Sequence, residues 1–195
     1  MKFIPQLISD VVLIQPEIHG DSRGYFVETF RQDEFEQAIG RKIDFIQNNE
    51  SKSSKGVLRG LHFQLPSFAQ SKLVRVIKGK VLDVAVDIRK GSSTFGQSVV
   101  LELNDKNKYQ LFVPRGFAHG FVVLSDSATF SYKVDNYYSP DHERGLAFDD
   151  KELGIDWKIP KDQLNLAKKD QNNPVLTQLE DHFDYREGRS IRAIN

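Results

Sequence analysis

Arg59-Gly60-Leu61-His62-Phe63-Gln64, answered ten residues after the histidine by Lys72, brings a base and two cations onto short apolar segments. Further on, Pro114-Arg115-Gly116-Phe117-Ala118-His119-Gly120-Phe121 repeats arginine, glycine and histidine among apolar neighbours. A base, a cation and a second histidine on separate β segments can line one pocket. Such a pocket can abstract a proton and hold the negative charge left behind. If the strand through His62 is regular, side chains two apart share a face, so His62 lies with Leu58, Gly60 and Gln64, opposite Arg59 and Leu61. Gly60 on the histidine's face would then leave room for a ligand beside the imidazole.

Other groups are ambiguous taken singly. Lys72 precedes an apolar run and either covers a solvated face or points into the same cavity as a hairpin partner. His119 follows a proline-glycine turn that would fix its direction. Tyr132 is a core aromatic or an acid, since a phenol with a reference pKa of about 10 stays protonated at neutral pH and can donate to a carbanion. Asp170, after Lys168-Lys169, is a surface acid unless it approaches His62, where it would fix the tautomer and raise basicity. A metal site is disfavoured. The second position of a His-x-His ligand pair is Gln64, cysteine is absent and only five histidines exist.

The elements that must position these groups are short and β-like. Apolar runs at 11–14, 25–30, 43–49, 56–64, 73–77, 81–88, 97–103, 110–113, 120–124 and 128–134 are separated by glycine, proline, asparagine or aspartate. Many short strands with frequent turn signals predict an all-β sandwich or barrel with few short helices. One helix is predicted over 33–39, stopped by Gly40, and another turn or two around 162–166. The 195 residues suit one domain over 1–180, and the charged stretch 181–195 reads as a frayed or surface-draped tail.

Composition narrows the function classes. The 27 basic side chains balance 27 acidic ones, so no global field points to nucleic acid or an anionic membrane. Without cysteine there are no disulfides, thiolate sites or cysteine nucleophiles. No run approaches the roughly 20 apolar residues of a membrane span, which sets a cytoplasmic protein as the expectation. The 14 phenylalanines suit a sheet-rich core.

From about Val11 to Pro174 the chain resembles the dTDP-4-dehydrorhamnose 3,5-epimerase family. The resemblance is carried by Gly20-Asp21-Ser22-Arg23-Gly24-Tyr25-Phe26-Val27-Glu28, Gln47-Asn48-Asn49-Glu50, Val57 to Gln64, Gln70 to Arg75, Asp83 to Arg89, Pro114 to Phe121 and Tyr132 to Pro140, in that order. It implies a cupin-type jelly-roll and a homodimer whose N-terminal strands are exchanged with the partner's sheet. No metal and no organic cofactor are implied. The implied substrate is dTDP-4-dehydro-6-deoxy-D-glucose, inverted at C3 and C5. By the same resemblance His62 matches the general base, Tyr132 the acid, Asp170 the carboxylate orienting the base and Lys72 the cation beside the C4 oxygen. Arg23, Phe26, Glu28, Gln47, Asn49, Arg59, His119, Glu143 and Lys169 match substrate-contacting positions. Two lysines precede Asp170, so either Lys168 or Lys169 fits the last of these. The competing readings are a single-centre epimerase, a metal-dependent cupin oxygenase and a non-catalytic sugar-nucleotide-binding protein.

Overall fold

The computed structural model describes residues 1–180 and 183–185. Its strands, in chain order, begin with β1 (Lys2–Pro5), β2 (Val12–Gln15), β3 (Ile18–Asp21), β4 (Gly24–Val27) and β5 (Gln47–Ser54). They continue with β6 (Leu58–Gln64), β7 (Lys72–Lys78), β8 (Lys80–Asp87), β9 (Arg89–Lys90) and β10 (Ser98–Asn104). The last five are β11 (Gln110–Val113), β12 (Phe117–Val123), β13 (Ser127–Val134), β14 (Glu143–Gly145) and β15 (Phe183–Asp184). One α-helix, α1 (Gln32–Ile39), ends where Gly40 adopts the left-handed conformation and its N–H closes on the Glu36 carbonyl.

Two sheets face each other, one ordered β1-β2-β11-β7-β13-β5 and the other β10-β8-β12-β6-β14. Pleat alternation decides what goes where. On β8, Val81 and Ala85 join Val74, Val76, Leu111, Phe121 and Phe130 between the sheets. The alternate residues Leu82, Val84 and Val86 pack outward against Leu146, Trp157 and Leu176 of the segment that covers the five-stranded sheet. β8 is therefore buried on both faces, and from Val81 onward only Asp83 and Asp87 interrupt its apolar residues. On the outer face of the six-stranded sheet, α1 seats Phe35 on Val12, Ile14, Leu73 and Phe112.

β6 departs from the alternation. Leu58, Leu61 and Phe63 share the outer cluster, and its pairing with β12 shifts between His119↔His62 and Phe121↔Arg59. Two residues of β6 thus oppose one of β12, as in a β-bulge. Arg59 and His62 consequently share the inner face, where a regular strand would have separated them. The cause lies at Gly60. With φ +124°, it meets Gly120 so closely that a Cβ built there would lie 2.5 Å from the Gly120 Cα. Its missing side chain serves the approach of two strands, and the expected room for a ligand is filled by backbone.

Other expectations shift as well. Residues 43–46 are not a strand; Ile43 is buried and Phe45 packs on Phe35 beside α1. β12 begins at Phe117, so His119 is set by strand pairing and not by the preceding turn. Of the stretch 181–195, residues 183–185 are described and packed. Phe183 is buried, β15 runs parallel to β9, and the Tyr185 ring lies 5.0 Å from the Arg89 guanidinium. The rest of that stretch lies outside the described residues. Among the described residues no helix is long and apolar enough to cross a membrane.

Candidate active site

One end of the space between the sheets is polar. From the six-stranded sheet come Lys72 and Tyr132, which share the inward face with Val74 and Phe130. Asn49 pairs across from Tyr132 on β5, and Gln47 donates to its amide oxygen at 2.9 Å. The opposite sheet contributes Arg59 and His62 from β6, His119 from β12 and Glu143 from β14. Arg59 reaches across to the Ser53 hydroxyl at 3.1 Å.

Asp170 does approach His62. It lies in a short 3-10 turn, Lys168–Gln171, is nearly fully buried, and its Oδ1 stands 2.6 Å from His62 Nε2. A carboxylate accepts, so the imidazole proton belongs on Nε2 and the lone pair on Nδ1. Alongside, His119 Nε2 lies 2.9 and 3.1 Å from the two oxygens of Asp83, a carboxylate with no exposure. Asp83 sits in phase with Val81 and Ala85 on the inner face of β8. That parity is the signal by which the sequence could have nominated it.

The electrostatics tie the groups together. Burial pushes the Lys72 ammonium down to about 8, against the attraction of Asp83 and Glu143. Burial likewise raises the Tyr132 phenol, with Arg59 and Asn49 pulling the other way. Burial disfavours charge on Glu143, yet Lys169, His62 and Tyr138 together hold its carboxyl below the ordinary range. Lys169 Nζ donates to Glu143 at 2.7 Å, and the Tyr138 hydroxyl donates to the same oxygen at 3.1 Å. Of the two neighbouring lysines it is Lys169 that meets this rim. Tyr138, half exposed, also stands at this rim.

Three candidates stand apart. Arg23 and Phe26 lie on the β3–β4 hairpin and Glu28 just beyond it, all exposed. Arg23 pairs with Asp21, and Phe26 stacks on His19. Among the described residues no hydrogen bond, ion pair or ring contact joins them to the His62 cluster. Among the described residues the hairpin strands pair with each other alone, and β5 forms an unpaired edge of the six-stranded sheet. Among the described residues no three His, Cys, Asp or Glu side chains converge to hold a metal. A base held by a buried carboxylate, a low-pKa ammonium and a partly buried phenol make a site equipped for proton transfer.

Comparison with known proteins agrees with that class. The family model for dTDP-4-dehydrorhamnose 3,5-epimerase matches residues 5–178. A dTDP-4-dehydrorhamnose 3,5-epimerase of Shigella flexneri is 55% identical over 159 residues, covering 82% of this chain and 88% of its own. That of Salmonella typhimurium is 52% identical over 179 residues, covering 91% and 97%. A dTDP-6-deoxy-D-glucose-3,5-epimerase of Legionella pneumophila, crystallised with dTDP-4-keto-L-rhamnose, superposes with a TM-score of 0.91 at 44% identity, covering 95% of this chain and 98% of that one. The sandwich is the cupin-type jelly roll of these proteins. The chain belongs to the dTDP-4-dehydrorhamnose 3,5-epimerase family.

Proposed function

We propose that the protein epimerises dTDP-4-dehydro-6-deoxy-D-glucose at C3 and C5, giving dTDP-4-dehydro-L-rhamnose. The observation that carries the reading is the contact between His62 and buried Asp170, beside Lys72 and Tyr132 at one end of the sandwich. The C4 ketone makes the neighbouring C–H bonds acidic, so the chemistry calls for a base and an oxyanion partner and no redox step. His62 Nδ1 takes the proton from C5 or C3, the C–H pair moves into the ring carbon–C4 bond, and negative charge collects on O4. Lys72, with a pKa near 8, is the donor matched to that oxyanion. Tyr132 returns a proton from the opposite face, the phenolate is reprotonated from solvent, and the His62 imidazolium gives its proton up to solvent. Arg59, Gln47, Asn49 and His119 hold the sugar, while Glu143 and Lys169 stand at the nucleotide end, remote binding that fixes the ring in place.

Arg23, Phe26 and Glu28 enter this scheme through a second copy. In the proposed dimer the exposed hairpin of one protomer lies along the open β5 edge of its partner, a strand exchange that caps both sites. The exposed Tyr25 and Phe26 rings, 59% and 68% accessible in one chain, support that arrangement.

Incubation with the substrate in deuterated water, followed by NMR at C3 and C5 separately, tests the function. Label and inversion at both centres are expected. Label at one centre alone would make it a single-centre epimerase, and label at neither would leave a binding protein.

A further inference from the structure

Gln64 occupies the place where the sequence suggested looking for a metal ligand, and its amide is wholly committed to the protein. It follows His62 by two residues on the inner side of β6 and is 5% exposed. Nε2 donates to the Phe68 carbonyl at 2.6 Å and to the Tyr137 carbonyl at 3.0 Å, while Oε1 accepts the Ser139 N–H at 2.7 Å. Both amide hydrogens and the oxygen are used. Two loops are thereby bolted to the strand that carries the histidine.

Tyr138 lies between Tyr137 and Ser139, two of the three residues whose backbone Gln64 holds. Its hydroxyl meets Glu143, which Lys169 also grips, and Glu143 is the direct cross-strand neighbour of Gln64 on β14. An exposed aromatic ring next to a lysine offers a base a stacking face and a diphosphate a cation. Nothing in these contacts touches the lone-pair nitrogen of His62.

We infer that Gln64 is a positioning residue for the nucleotide end of the site, setting Tyr138 against Glu143 and Lys169 and so governing affinity for a nucleoside diphosphate without taking part in proton transfer. The inference rests on the sugar-nucleotide reading above. Its chemistry is that of a fully satisfied buried amide. A carboxylate at the same position would face two carbonyl oxygens, and an apolar side chain would leave both carbonyls and one N–H unpaired.

The test uses the full chain with Gln64→Glu and Gln64→Leu, alone and in the Tyr138→Ala background, and dTDP as the titrated probe. Loss of a buried partner group corresponds to roughly a tenfold or greater rise in the dTDP Kd and in the KM for the sugar nucleotide, with kcat held within about threefold. Once Tyr138 is gone, adding Gln64→Leu is expected to change the Kd by no more than about twofold. Unchanged dTDP affinity, a fall in kcat with affinity intact, or fully additive losses in the double variant would each overturn the role. Gln64→Met, of similar length, carries the comparison if the carboxylate prevents folding. The titration needs no turnover. A chain whose dTDP affinity depends on Gln64 yet which fails to epimerise would sink the proposed reaction and leave this inference standing. A wild-type chain with no affinity for dTDP would overturn both.

Discussion

His62 Nε2 and Asp170 Oδ1 lie 2.6 Å apart across 108 residues of sequence, and the carboxylate is almost fully buried while the imidazole keeps part of its surface open. This places the shielded acid behind the base and the lone pair toward the cavity. His62→Asn is expected to lower turnover by about 10²–10⁴, the usual general-base contribution. Asp170→Asn, which disturbs the tautomer, is expected to lower it as well. In both, the dTDP Kd measured by titration should stay within about threefold of wild type, because neither residue belongs to the nucleotide rim. Retention of full rate in His62→Asn would remove it from the role.

Lys72 gives the site a pH signature. In the proposed reaction its ammonium stands beside the oxyanion, and burial has brought its pKa down to about 8. The protonated form prevails below that value, so kcat/KM is expected to fall as pH rises through about 8. Asp83 and Glu143 are the anions that favour the charge on Lys72. Asp83→Asn or Glu143→Gln should therefore move the alkaline limb to lower pH. Lys72→Met should abolish that limb and cost on the order of 10²–10³ in rate. An alkaline limb unmoved by Asp83→Asn would show that Lys72 does not set it.

Tyr132→Phe separates abstraction from inversion. With His62 and Lys72 intact, the variant should still wash deuterium into the sugar from the base side and form inverted product much more slowly, with the loss concentrated at C5. Near-normal rates of both would make Tyr132 a packing residue against Phe130, whose ring lies 6.2 Å away.

The proposed hairpin exchange predicts complementation. Arg23→Ala and His62→Asn, each inactive as a homodimer, should regain turnover when co-expressed, since the mixed dimer holds one site with both residues intact. No recovery, in material shown by mass spectrometry to contain the mixed dimer, would mean that Arg23 serves its own chain's site or none.

The sequence made the long elements legible because their signals are local. The apolar runs around Val74, Val84 and Leu111 and the Gly40 stop after Ile39 appear within a residue or two of where they were expected. The short strands β1, β3 and β14 carry too few residues for a period to register. Ile43 to Ile46 reads as a strand because it is rich in apolar residues, but Ile43 and Phe45 pack with Phe35 of the helix and Ile46 is exposed. Lys72, Tyr132 and His119 were nominated from motif and family resemblance, and their convergence depends on cross-strand pairing that no local window contains. Asp170 is the extreme case: its burial against His62 exists only once the covering segment closes over the five-stranded sheet.

The contact between Gly60 and Gly120 works as a phase shift in the chain's alternation. By consuming one extra residue, it lets β6 present Arg59 and His62 to the cavity three positions apart while Leu58 and Leu61 face outward together. A Cβ at Gly120 would meet the Arg59 carbonyl at 2.7 Å, just as one at Gly60 would meet the Gly120 backbone. The two glycines therefore behave as a single unit of information. A side chain at either one meets the backbone of the facing strand, so the two strands must part at the bulge that sets Arg59 and His62 on one face, and the damage reaches the reaction without touching any group that performs it.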